Sequence, residues 1–161
     1  MNPFTVRRDG SIDVHLTEVE AGALAHIAGE LLEALREPED EALKRLFPPA
    51  YEQDPLREEE FAVMTRLDLT ERKRAHAQAV IDSLAGATRK RDRVSARLDA
   101  DRAQAWLGLL NDARLVLGNR IGVTEDLEPE ALPADDPRAP AHNLYVYLSG
   151  LEWALVEALM R

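Results

Sequence analysis

The chain has 161 residues, a net charge of −10 and no cysteine. That length suits one domain with an ordinary hydrophobic core, and zero Cys removes disulfides, zinc–thiolate and iron–sulfur centres, thiol nucleophiles and thiol redox switches from this chain. No apolar stretch is long enough to span a bilayer and the first residues lack the apolar centre of a secretory signal, so a soluble cytoplasmic protein is expected.

Ala and Leu occur 24 times each, and Ala, Glu, Lys, Leu and Arg make up 85 residues, which argues for a mostly helical chain. At the N-terminus, Phe4–Arg8 and Ser11–Leu16 flank Asp9-Gly10, a strong hairpin signal. Such a hairpin, within residues 1–16, is marginal alone and must lie against helices. Thr17 and Glu20 form a capping box for a first helix, whose stripe of Leu24, Ile27, Ala28, Leu31 and Leu35 ends at Pro38. Gly22 and Gly29 inside it suggest close approach of another element. Glu41–Leu46 reads as a short helix. Asp54-Pro55 looks like N-cap plus N1 proline of a second long helix, with Leu56, Phe61, Met64 and Leu67 on its first apolar face and a kink or break expected near Thr70. Gly86 is its expected C-cap, and residues 93–98 form an extended piece. Asp99 caps a third helix carrying Trp106, Leu107, Leu110, Ala113, Leu117 and Ile121, closed by Gly122. An acidic, Pro-rich surface linker covers residues 124–141, and the last helix starts near His142 or Asn143.

The expected fold is therefore mainly α: one domain over residues 1–161, with four long helices in an orthogonal or irregular bundle and a small N-terminal β-hairpin.

The charge is uneven. Residues 1–65 hold 6 Lys+Arg against 15 Asp+Glu, residues 66–102 hold 10 against 6, and residues 103–161 hold 4 against 9. The locally basic middle supplies candidate partner-binding side chains, Arg72, Arg74, Arg89, Arg91 and Arg93, while acidic runs elsewhere would repel a phosphate backbone. Arg66, Arg72, Lys73, Arg74, His76 and Gln78 come nearest to a DNA-reading helix, without the short glycine turn of a helix-turn-helix. Direct binding of nucleic acid through residues 66–102 is thus the alternative rather than the main expectation.

Chemistry is sparse. The four histidines, His15, His26, His76 and His142, show no helical metal spacing; the serines lie in no nucleophile motif; no phosphate loop occurs; and no Glu precedes a His by three residues. No enzyme activity, metal or cofactor is expected. The unusual polar set is Asn111, Asp112, Arg114 and Arg120 on the third helix, where Arg114 at a core edge calls for a carboxylate such as Glu152 or Glu157. A small anion or substrate at Asn111, Arg114 and Arg120 is a second alternative. Tyr145 and Trp153 fall outside the main stripe of the last helix, which leaves a homodimer open.

The segment Trp106 to Val123, with its Trp–Leu–Asn–Asp–Arg–Leu–Gly–Arg pattern, resembles the signature of an actinobacterial family of unknown function encoded beside the Clp protease adaptor. Leu46-Phe47-Pro48, Tyr51, Asp54-Pro55, Phe61 and the helix from Leu148 to Leu159 agree in order. The resemblance implies that Trp106, Asn111, Asp112, Arg114 and Arg120 belong to the signature. One branch of that family is described as an oxidative-stress regulator that acts on transcription with a sigma-factor partner and senses redox state through cysteines. The resemblance thus implies a regulatory or adaptor protein with a protein partner, of which a sigma factor is one instance; this chain, lacking Cys, departs from the branch's thiol mechanism.

Overall fold

The computed structural model describes residues 2–37, 41–47, 55–122 and 133–161, and their side chains apart from 41, 42, 44 and 55–64. In chain order these form β1 (Phe4–Val6), β2 (Ile12–Thr17), α1 (Glu18–Ala34), a 3-10 segment (Glu41–Leu46), α2 (Pro55–Ala85), β3 (Thr88–Lys90), β4 (Arg93–Leu98), α3 (Ala100–Ile121) and α4 (Ala139–Leu159). Mainly α architecture with four long helices matches the expectation.

The hairpin forms where Asp9-Gly10 places it. Its loop is longer than a two-residue turn: Gly10 N–H donates to Arg7 O at 3.0 Å and Arg7 N–H to Ser11 O at 2.8 Å. Gly10 then takes φ 88°, a value that suits glycine.

The expectation of a lone hairpin needs correcting. β2 also pairs antiparallel with β4, and β4 with β3, giving one four-stranded sheet ordered β1-β2-β4-β3. The register sets Val14 opposite Ala96 and Ile12 opposite Leu98. Pleating sends Phe4, Ile12, Val14, Leu16, Val94 and Leu98 to one buried face, while Asp13, His15, Ser95 and Arg97 lie on the other.

Local chemistry fixes where helices begin. At the start of α1 both capping-box bonds form, Thr17 N–H to Glu20 Oε2 at 2.8 Å and Glu20 N–H to Thr17 Oγ1 at 3.1 Å. Asp99 Oδ1 accepts from Arg102 N–H at 2.8 Å at the start of α3, and Gly122 closes that helix with φ 72°. The last helix opens earlier than its apolar stripe suggests, at Ala139, because Pro140 sits in the first turn, where no N–H is required.

Two further readings change. α2 runs unbroken through Thr70, whose hydroxyl donates to Arg66 O at 2.7 Å instead of capping a new helix. Among the described residues nothing lies within 4 Å of a β-carbon built at Gly22 or Gly29, so no close approach there explains them. The Pro38 stop, the Asp54 cap, the apolar contacts of Leu56, Phe61 and Met64, and residues 124–132 of the linker lie outside what the structure describes.

α3 is the central element, packing on α4, α2 and the 3-10 segment and touching α1 and β4. Its fully buried Trp106 meets Phe4 of β1 edge-on, centroids 6.4 Å apart at 87°, which fastens the sheet to the helices.

Gly22→Ala and Gly29→Ala should each stabilise the fold by about 0.5–1 kcal/mol, since both sit in α1 with room for a methyl. Chemical denaturation midpoints check this; a drop for either variant would show a constraint at that glycine.

Candidate functional site

Asp112 and Arg114 lie two positions apart on α3, about 200° around the helix, and so face opposite neighbours. Asp112 points toward α2, where Lys73 Nζ approaches its Oδ1 at 2.8 Å. The carboxylate is 4% exposed and the ammonium 17%, so the pair is largely withdrawn from water. His76, one turn along α2, lies beside them. Burial pushes the Asp112 carboxyl up, against the pull of the Lys73 ammonium and of His76. Burial likewise pushes the His76 imidazole down; Asp112 opposes this, while Lys73 and Arg72 add to it.

Gly108, one turn before Asp112, makes this contact feasible, since a methyl at that position would collide with the His76 ring. Lys73, His76 and Gly108 are therefore the partners of Asp112 that sequence reasoning missed. Their signal was available: Lys73, His76 and Val80 share a face of α2, and Asp112 sits on a face of α3 otherwise apolar.

Arg114 faces α4. Its Nε lies 2.7 Å from Glu152 Oε2, Nη2 donates to Asn111 Oδ1 at 3.2 Å, and Nη1 donates to Tyr145 Oη at 3.4 Å. The guanidinium carbon stands 6.0 Å from the Tyr145 ring centroid. Glu152 thus takes the role for which the sequence left Glu157 as the other candidate. Gly118 leaves room for Tyr145, whose ring would lie 3.1 Å from a β-carbon there.

The other signature residues separate. Trp106 belongs to the core, and its indole N–H meets no acceptor among the described residues. Arg120 is exposed in the last turn of α3, where a cation suits the helix dipole. It borders a cleft of about 70 Å3 lined by apolar side chains including Ile27, Leu31, Leu144 and Leu148. The structure does not bring Asn111, Arg114 and Arg120 to one pocket: Arg114 closes onto α4, and Arg120 borders the cleft toward α1. Among the described residues no three His, Asp or Glu cluster to hold a metal.

The basic residues also fall into two groups. Arg72 and Arg74 lie on α2, and neither forms an ion pair among the described residues. Arg89, Arg91 and Arg93 lie on the β3–β4 hairpin, about 20 Å along the helix axis from Arg72 at 1.5 Å per residue. Arg89 is engaged: its guanidinium lies 3.3 Å from Glu18 Oε2 and donates to Leu84 O at 3.1 Å. On α4, Tyr145 turns toward Arg114, whereas Trp153 remains exposed in line with Val146 and Met160.

Two measurements probe the buried pair. Lys73→Met should cost about 3–5 kcal/mol by stranding the Asp112 carboxylate, whereas Lys73→Met/Asp112→Leu should recover most of that loss. Additive costs in the double variant would show that the two groups are not coupled. The His76 pKa is held below its ordinary 6.5, so its contribution to stability is present above 6.5 and lost as pH falls from there through the lowered folded value. Asp112, shifted up from 3.8, contributes in the opposite sense: its share is present at acid pH and lost as pH rises through the folded value. His76→Gln should accordingly flatten the fall in melting temperature between about pH 7 and about pH 5, and an unchanged slope would exclude the role given to His76.

Comparison with known proteins bears out the family resemblance. Residues 1–159 match a domain of unknown function, DUF2017. The oxidative stress regulators AosR of Mycobacterium tuberculosis and Mycobacterium bovis are each 28% identical over 164 residues, covering 94% of this chain and 72% of those proteins. A Mycobacterium leprae relative is 29% identical over 136 residues, and the match spans 76% of this chain but only 60% of that protein's length. No solved structure matches the chain. This chain therefore belongs to the DUF2017 family.

Proposed function

We propose that this protein is a non-enzymatic regulatory or adaptor protein that works through contacts with another protein, in stress-linked transcriptional control. The observation that carries this reading is the engagement of Asn111, Asp112 and Arg114 of the signature within the fold, Arg120 alone of its polar side chains being exposed. Asp112 is taken by Lys73, and Arg114 by Glu152, Asn111 and Tyr145. Side chains so engaged position helices and are not poised on a substrate. The regulator name carried by mycobacterial relatives points the same way. A sigma factor or other transcription component is the partner suggested by the resemblance. Since this chain has no cysteine, its input signal comes by a route other than its own thiols.

The second reading, direct DNA binding through residues 66–102, draws on Arg72 and Arg74, which form no ion pair among the described residues. Three features weigh against it. Arg66 lies over the Phe47 ring at 5.1 Å, His76 is turned against α3, and the hairpin cations stand apart from those on α2. A small-anion site has less support, because the guanidinium of Arg114 already has its carboxylate.

The tagged chain used as bait in lysate of its own organism should retain one partner in stoichiometric amount. Recovery of chaperones alone would overturn the protein-contact reading. In parallel, duplex DNA should show no binding at physiological salt; tight binding that weakens steeply with salt and with Arg72→Glu/Arg74→Glu would favour the second reading.

A further inference from the structure

The β3–β4 hairpin gathers cations in this acidic chain; Arg89 lies against Glu18 and Arg97 against Asp13, whereas Lys90 and Arg91 form no ion pair among the described residues. Residues 89–97 hold Arg89, Lys90, Arg91, Arg93 and Arg97 against Asp92 alone. Three features of its geometry set it apart. Arg91, at the turn, adopts φ 58°, the only positive φ outside glycine among the described residues. A bulky residue is uncommon there, where Gly or Asn would sit without strain. Lys90 and Arg93 are direct cross-strand partners, which sets both side chains on one side of the sheet. Finally, Thr88, Lys90, Arg91, Asp92, Arg93 and Ser95 line a surface hollow, and all three residues of β3 are exposed at the open edge of the sheet.

An acidic ligand supplies the carboxylates that Lys90 and Arg91 lack among the described residues. We infer that the β3–β4 hairpin is a docking site for an acidic, extended segment of a partner protein, with Lys90 and Arg91 as its principal contacts. This rests on the protein-contact reading and narrows it to one surface and one partner chemistry. Charge complementarity selects the occupant: the rest of the chain is strongly acidic, so a short run of carboxylates fits this patch, whereas a long phosphate backbone meets repulsion on every side.

The test is fluorescence anisotropy with a labelled peptide of alternating Glu and Ser, at low and at physiological ionic strength. The wild-type chain should bind it, more weakly as salt rises. Lys90→Glu/Arg91→Glu should weaken binding about tenfold or more, the loss of two charge-assisted contacts. Arg91→Gly should fold with an unchanged or higher melting temperature, because glycine accepts φ 58° freely, and should bind about threefold or more weakly. Arg36→Glu, an exposed cation just after α1 and at the other end of that helix from Glu18, should bind as wild type. Equal binding by wild type and Lys90→Glu/Arg91→Glu would overturn the hairpin assignment while leaving a protein-contact function standing. Absence of peptide binding by the wild type would overturn the inferred partner chemistry. Preference for duplex DNA over the peptide, lost in the same hairpin variant, would overturn both the inference and the reading beneath it.

Discussion

The ion pair between Lys73 and Asp112 is the constraint on which the arrangement of the helices depends. An isolated carboxylate could not sit at 4% exposure in the face of α3 that meets α2 without a cation or a shifted protonation state. Lys73 supplies the cation at 2.8 Å, and doing so fixes the rotation of α2 about its axis. His76 then faces α3, where Gly108 alone leaves room for its ring. Ala77, Val80 and Leu84 follow on the same helix as buried residues. On the opposite side of α3, Arg114 faces α4 with its Nε 2.7 Å from Glu152 Oε2, a more exposed pair. The central helix is thus clamped by two charge pairs facing opposite ways, with Trp106 and Phe4 joining it to the sheet.

What could be read from the sequence was what is local. The Thr17–Glu20 box, the Asp99 cap, the Gly10 turn and the Gly122 C-cap each depend on residues within a few positions of one another, and each formed where the chain spelled it. The four-stranded sheet was not legible, because β2 pairs with β4 across 84 positions, as between Asp13 and Arg97. A three-residue strand of exposed residues such as β3 carries no alternation to announce it. Gly22 and Gly29 misled for a related reason: glycine signals freedom of the backbone, and only tertiary contacts decide whether a neighbour uses it. The contacts that do use a glycine occur at Gly108 and Gly118.

The candidate site was half legible. Arg114 at a core edge calls for a carboxylate, and few acids are available on α4, so Glu152 could be named beforehand as one of two. Asp112 drew attention as a member of the polar set, yet its partner lies 39 positions away in a segment whose charge looked solvent-facing. Lys73 sits between Arg72 and Arg74, and only the helical phase of α2 separates the buried cation from its neighbours. Structure divides that basic run into a part that holds the fold together and a part that stays at the surface.

Trp106, Asp112 and Arg114 of the signature are engaged in packing, in a family whose mycobacterial members carry the name of a regulator. The central claim is that the Lys73–Asp112 pair serves architecture alone. Its most direct test is partner capture from lysate by Lys73→Met/Asp112→Leu, after circular dichroism shows that the variant is folded. The same partner at the wild-type ratio is the predicted result. A folded variant that captures nothing would contradict the claim and place the buried pair within the functional site.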